Sequence, residues 1–248
     1  MAKVVVVGLA KSGFEAAKLL AGHKNIVFIT ELKNDQAVKK SRDLLIKEGV
    51  IKPHNIELGI HTDKFIKKSD YMVVSPGVRR DAQPIKLAEA QKIPVISELE
   101  LAYTMCPLST PIICVTGTSG KTTTTTLIGQ MIKSAGFDAI VCGNIGNPFS
   151  GEIKKIKKDS IVVLEVSSFQ LELIDKFKPR VSIILNISDN HLDRHKDMNE
   201  YITAKCRIFL NQNKKDVLFL NKNDALLNEI ANAVKGPRVE FFNEYKGF

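Results

Sequence analysis

The sequence predicts an α/β protein in which a Rossmann-like, doubly wound N-terminal domain is followed by a P-loop α/β ATPase domain. Three observations predict it. The Val/Ile runs are continuous rather than alternating, which marks strands buried on both faces. Stretches of helical period lie between those runs, which implies parallel strands joined by right-handed crossovers. Each half also carries a glycine-bearing turn after its first strand, GLAKSG at 8–13 and GTSGKT at 117–122.

In the first half the strand KVVVVG leads into the helix SGFEAAKLLAG, the strand NIVFIT and the helix QAVKKSRDLLIKEG. DYMVVSPG then reads as a strand, QPIKLAEAQK as a helix and IPVIS as a short strand. CPLSTP, residues 106–111, combines two prolines with small polar residues, so a boundary is expected there, giving domains 1–108 and 109–248. The second series reads as strand PIICVTG, helix KTTTTTLIGQMIKSAG, and strands DAIVCGN, SIVVLEV and RVSIILNIS. The helix MNEYITAKCRIFL, the strand DVLFLN and the helix DALLNEIANAV complete it. No internal repeat and no low-complexity segment interrupts the pattern.

Composition agrees with a globular chain: 248 residues, 44% apolar and 25% charged, with room for about two domains of ordinary size. The apolar run near the N-terminus is too short for a secretory segment or a membrane span, so a cytoplasmic protein without membrane attachment is expected. Cys106, Cys114, Cys142 and Cys206 form no CxxC pair and read as small core residues. The +9 formal charge is spread over scattered lysines with no aromatic-rich stretch beside them, which favours a solvated surface and an anionic substrate over nucleic acid.

The loop after PIICVTG carries the strongest chemical signal. Gly117, Thr118, Ser119, Gly120, Lys121, Thr122 and Thr123 join a strand to a helix, where backbone amides and the helix dipole favour phosphate. Lys121 is expected to bridge the terminal phosphates of ATP, and Thr122 to offer its hydroxyl to Mg²⁺. Val115 stands where the usual GxxxxGK[ST] has its leading glycine, so this is a shorter GxxGKT loop. Glu165, near the end of an apolar strand, is costly to bury unless it meets a cation, so it is a candidate metal ligand. Asp189, His191, Asp193 and His195 cluster after the strand VSIILNIS, which brings at least one of them toward that metal.

These motifs carry a resemblance. VTGTSGKTT, LEVSSFQLE, NISDNHLDRH and YITAKCRIF, in this order, resemble the Mur ligases of peptidoglycan synthesis, and SPGV in the first half fits the same family. The likeness covers essentially the whole chain. It implies that ATP phosphorylates the carboxylate of UDP-N-acetylmuramoyl-L-alanine and that the amine of D-glutamate attacks the acyl phosphate; the protein is expected to be a monomer. A phosphorylated carboxylate has a good leaving group, so the catalytic work is charge neutralisation and positioning.

The resemblance also implies that Lys205 is carbamylated and holds a second Mg²⁺ with His191, and that Asn144, Ser167 and Gln170 surround the muramoyl substrate. From the residues alone, Lys205 reads as an ordinary lysine on an amphipathic helix and Asn144 as a turn residue. In the first half GLAKSG has Ala10 where the dinucleotide fingerprint has glycine, so a nicotinamide cofactor is not inferred. The family instead places the UDP moiety here, with Leu9, Ala10 and Lys11 at the diphosphate and Ser75, Pro76 and Gly77 in a neighbouring loop. Glu31 is either a contact to ribose or uracil or a solvated carboxylate.

Two departures stand out. Asn190 replaces the usual aspartate before His191, weakening the electrostatics at the metal. The family resembles three-domain proteins, so this chain looks truncated and is expected to have little ligase activity alone. A P-loop switch NTPase, or another Mur or folylpolyglutamate-type ligase, is the alternative reading.

Overall fold

A computed structural model describes residues 1–188 and 195–243. In chain order the elements are β1 (Lys3–Val7), α1 (Lys11–Gly22), β2 (Ile26–Glu31), α2 (Gln36–Lys47), β3 (Ile56–Leu58), α3 (Asp63–Ile66), β4 (Tyr71–Val74), α4 (Gln83–Ala90), β5 (Val95–Ser97) and α5 (Glu98–Met105). There follow β6 (Ile112–Thr116), α6 (Lys121–Ser134), β7 (Asp138–Gly143), α7 (Phe149–Glu152), β8 (Ser160–Glu165), α8 (Ser168–Leu171), β9 (Val181–Ile184), α9 (Met198–Cys206), β10 (Val217–Asn221), α10 (Ala225–Ala233) and β11 (Arg238–Phe242). Among the described residues no helix is long and apolar enough to cross a membrane.

Two compact units divide the chain. The first contains Met1–Met105 together with Asn147–Ile153 and Leu173–Asp175; the remaining described residues form the second.

The first unit has a fully parallel sheet in the order β3-β2-β1-β4-β5. Alternation along β1 sends Val4 and Val6 into one apolar layer with Ala16, Ala17 and Leu20 of α1, and Val5 and Val7 into another with Phe65, Ile66, Ile85 and Ala88. Both faces are therefore covered, which is why β1 reads as an uninterrupted valine run. The order reverses beside β1, and that switch opens a crevice at the strand ends carrying Gly8 and Ser75.

Two short segments from later in the chain complete this unit. The buried Glu98 carboxylate accepts the Ser150 N–H at 2.7 Å, Glu100 accepts the Asp175 N–H at 2.9 Å, and the Ser97 N–H donates to the Leu173 carbonyl at 2.9 Å. Helix α5 escapes the periodicity reading because it buries both glutamates, Glu98 and Glu100, which blurs any apolar stripe.

The second unit is a parallel sheet in the order β11-β10-β9-β6-β8-β7. Its first strand, β6, lies between β8 and β9, so three carboxyl ends converge on the loop that follows it. The register pairs Val115 with Glu165 and Thr116 with Ile184. β9 is shorter than RVSIILNIS suggests: after Ile184 the chain turns onto the glycine loop, with Leu185 N–H donating to Thr116 O and Thr118 N–H to Asn186 O, both at 3.0 Å. β3 and β11 lack strong periodic signals and form by pairing with β2 and β10.

Candidate nucleotide-binding site

Thr116 ends the central strand, and Gly120 caps α6 in the left-handed conformation at φ 78°, with no side chain supplied as a cap. Consequently the amides of Lys121, Thr122 and Thr123 have no acceptor among the described residues. Those N–H groups lie at the positive end of a 14-residue helix, an arrangement that favours an anion. The Thr118 and Ser119 amides face elsewhere: both donate to Asn186 Oδ1, at 3.1 and 2.9 Å. Thr118 Oγ1 lies 3.2 Å from the Tyr201 hydroxyl and accepts the Ser188 N–H at 3.0 Å.

Lys121 Nζ donates to the carbonyls of Gly117 and Thr118, at 3.0 and 2.9 Å, so the cation is held over its own loop. Burial lowers its pKa, with Glu165 acting the other way. Glu165 is 2% exposed and accepts Thr122 Oγ1 at 2.7 Å on one oxygen and Asn144 Nδ2 at 2.8 Å on the other. The buried carboxylate of the apolar strand thus sits beside the loop hydroxyl. A cavity of about 150 Å³ is lined by Lys121, Asn144, Ser167, Ser168, Phe169, Tyr201 and Lys205.

Lys205 departs from its residue-level reading. It is 2% exposed rather than solvated, because α9 packs on α8 and turns this side chain inward. Its Nζ donates to Gly117 O at 2.8 Å and lies 4.5 Å from the centre of the Tyr201 ring. Burial first, and then the charge of Lys121, pull its amine from 10.5 down to about 7, against a smaller opposing influence of Cys206.

A pH dependence follows. An unfolded chain keeps this lysine protonated up to 10.5. Between pH 7 and 9 the unfolded state therefore binds more protons than the folded one, and stability rises with pH by up to ~1.4 kcal/mol per pH unit from this group. Below pH 7 the full destabilisation is present. Above 9 the Cys206 thiol, raised by burial to about 11, acts in the opposite sense. Denaturant titrations in CO₂-free buffer should show the wild type gaining on Lys205→Met across this window; parallel curves would mean that the amine is not depressed.

The remaining expected residues separate into two groups. Asn144 and Ser167 reach the cavity, whereas Gln170 is turned into a capping box, its Oε1 accepting the Ser167 N–H at 3.0 Å. His195 is 2% exposed, 2.9 Å from Ser168 Oγ through Nε2, and packed against the rings of Phe169 and Tyr201. Asp189, Asn190, His191 and Asp193 lie outside the described residues. Asn186 and Tyr201 were not singled out from the sequence; the only signal for Asn186 is its place just past an apolar strand next to the central one.

In the first unit α1 starts at Lys11, after the N-cap Ala10, which supplies no side-chain cap. Ser75 Oγ donates to Gly8 O at 3.1 Å. Pro76 and Gly77 follow it in the same strand-end loop. Glu31 is buried and accepts the Leu9 N–H at 2.6 Å and the Lys33 N–H at 2.7 Å.

A parallel sheet whose central strand feeds a Gly-Lys-Thr loop and helix, preceded by a Rossmann-like unit, is the fold of the P-loop ATPase class. Residues 115–246 match the Mur ligase middle domain and residues 2–97 the Mur ligase MurD-like, N-terminal domain, and the chain belongs to the Mur ligase family. It is 42% identical to the UDP-N-acetylmuramoylalanine--D-glutamate ligase of Geotalea daltonii over 98% of this chain and 52% of that protein. With the ligase of the same name from Caldicellulosiruptor saccharolyticus it shares 40% identity over 96% of this chain and 52% of the relative. The chain thus spans about half the length of the curated relatives it matches.

Among solved structures, the UDP-N-acetylmuramate:L-alanyl-gamma-D-glutamyl-meso-diaminopimelate ligase from Neisseria meningitides has the same fold, with a TM-score of 0.65 at 17% identity over 100% of this chain and 79% of that one. The UDP-N-acetylmuramate-alanine ligase from Thermotoga maritima matches with a TM-score of 0.56 at 22% identity, over 98% of this chain and 53% of that one.

Proposed function

We propose that this chain carries the ATP site and the UDP-N-acetylmuramoyl-L-alanine site of a cytoplasmic, monomeric ligase that adds D-glutamate through an acyl phosphate. The observation that carries it is the convergence of Lys121, Asn144, Ser167 and Lys205 on one cavity beside the free amides of α6. Relatives named for this reaction supply the substrates. Residues 1–108 would hold the UDP moiety and 109–248 the ATP.

Thr122 Oγ1 and Glu165 Oε2, 2.7 Å apart, are hard oxygen donors suited to Mg²⁺. Among the described residues no group of three or more His, Cys, Asp or Glu could hold a metal by itself, so phosphate oxygens and water would complete the shell. The bound ion would neutralise phosphate charge. Lys121 would leave the Gly117 and Thr118 carbonyls to grip the terminal phosphates, while the amides of 121–123 orient them.

Lys205, neutral for about half the molecules near pH 7, is the nucleophile that carbamylation requires: its nitrogen lone pair bonds to CO₂ and a proton is released. A carbamylated Lys205 would replace a cation beside Lys121 by an anion, removing the repulsion between the two lysines, and its oxygens would be available to a second Mg²⁺, for which the family resemblance implies His191 as a further ligand. Parallel calorimetric titrations with UDP-N-acetylmuramoyl-L-alanine, UDP-N-acetylmuramic acid and ATP–Mg test the assignment. Tighter binding of the alanyl form is expected. Equal affinity for the two muramoyl nucleotides would remove the alanyl substrate from the reading.

A further inference from the structure

At the carboxyl ends of β2 and β3, a hydrogen-bond chain fixes the state of one imidazole. Glu57 Oε1 accepts from Thr30 Oγ1 at 2.7 Å and from the Thr62 N–H at 2.9 Å, and Glu57 Oε2 accepts from Thr62 Oγ1 at 2.6 Å. Thr30 Oγ1 is also 2.7 Å from His61 Nδ1. A hydroxyl has one proton to give, and Thr30 gives it to the carboxylate, which can only accept. Thr30 Oγ1 must therefore accept from His61, which places the proton on Nδ1 and leaves Nε2 as a bare acceptor. Nε2 has no hydrogen-bond partner among the described residues, and the ring is half-buried. Burial lowers the imidazole pKa from 6.5, outweighing the opposite pull of Glu31 and Glu57, so the ring is neutral at physiological pH.

The position of this acceptor gives it a use. In nucleotide-binding sheets of this topology, an acid at the end of the second strand usually receives ribose hydroxyls. Here that acid is Glu31, and each of its oxygens already holds a backbone amide, Leu9 N–H on one and Lys33 N–H on the other. Glu31 thus braces the diphosphate loop. The neighbouring acceptor is His61.

We propose that His61 is a specificity-determining residue of the first unit, held by Glu57 and Thr30 in its Nδ1–H form so that Nε2 accepts a hydrogen bond from an N–H or O–H of a nucleoside diphosphate. This rests on the assignment of a uridine nucleotide to that unit. The donor is either the uracil imide or a ribose hydroxyl, and two analogues distinguish them.

The test is calorimetric binding of UDP, 3-methyl-UDP and 2′-deoxy-UDP to the 248-residue protein and to His61→Phe and Thr30→Val, with ¹⁵N NMR of the histidine rings. His61→Phe should weaken UDP about tenfold, the size of one lost hydrogen bond. The analogue that lacks the matching donor should bind the wild type and His61→Phe equally. Thr30→Val keeps the shape of a buried β-branched residue but removes the hydroxyl; the ring signal should leave the Nδ1–H form and UDP binding should fall several-fold. Wild-type UDP affinity in His61→Phe, with Lys11→Ala still weakened, overturns the role of His61 and leaves the uridine site standing. An Nε2–H ring in the wild type overturns the hydrogen-bond chain. Failure of the wild type to bind UDP at all overturns both.

Discussion

Replacing Lys121 by Met is expected to weaken ATP–Mg binding by about 10- to 100-fold, the range for losing hydrogen bonds from a charged group. The fold should survive, because among the described residues the ammonium donates only to carbonyls of its own loop, Gly117 and Thr118, and the methionine chain can cover the same half-buried path. A second readout separates a local charge effect from general damage. Lys121 is one of the causes that lower the Lys205 amine, so in Lys121→Met the Lys205 pKa should rise. Calorimetry gives the first quantity, and the pH dependence of stability relative to a Lys121→Met/Lys205→Met double variant gives the second. Unchanged ATP affinity in a folded Lys121→Met protein would detach the glycine loop from nucleotide handling.

Gly13→Ala should destabilise the first unit by about 3 kcal/mol, at the upper end of ordinary overpacking. A Cβ at this position would lie 1.9 Å from the Gly8 carbonyl oxygen and 2.7 Å from Ser75 Oγ. The carbonyl belongs to the backbone of the loop after β1 and cannot swing aside like a side-chain tip. Relief would push the first turn of α1 off the end of β1, carrying Leu9 away from Glu31. The sign is diagnostic, since alanine inside a helix normally stabilises relative to glycine by up to about 1 kcal/mol. Chemical denaturation of the two proteins measures the difference, and a neutral or stabilising result would show that the loop and helix do not approach this closely.

Much of the fold was legible because its information is local. Valine and isoleucine runs, helical periods and the Gly-Lys-Thr turn identify β1, α1, β2, β4, β6, α6, β8 and their order. The motif singled out the loop, and the cost of a carboxylate on an apolar strand singled out Glu165, which the structure places against the Thr122 hydroxyl. β3, β11 and the short α3, α7 and α8 were not, because they carry neither a continuous Val/Ile run nor a full helical period. Glu31 stayed ambiguous between ligand and solvent until its two backbone partners were placed.

By itself the sequence determined that this is a parallel α/β protein with a Gly-Lys-Thr turn between a strand and a helix and a carboxylate on an apolar strand, since strand, turn and helix propensities act between near neighbours. Only the tertiary structure decided that β6 lies between β8 and β9, that Asn147–Ile153 belongs to the first unit, and that Lys205 is buried with its amine near 7. Those outcomes depend on which apolar faces meet across long stretches of chain and on how much water each charge then loses, quantities set by packing rather than by neighbours in the sequence.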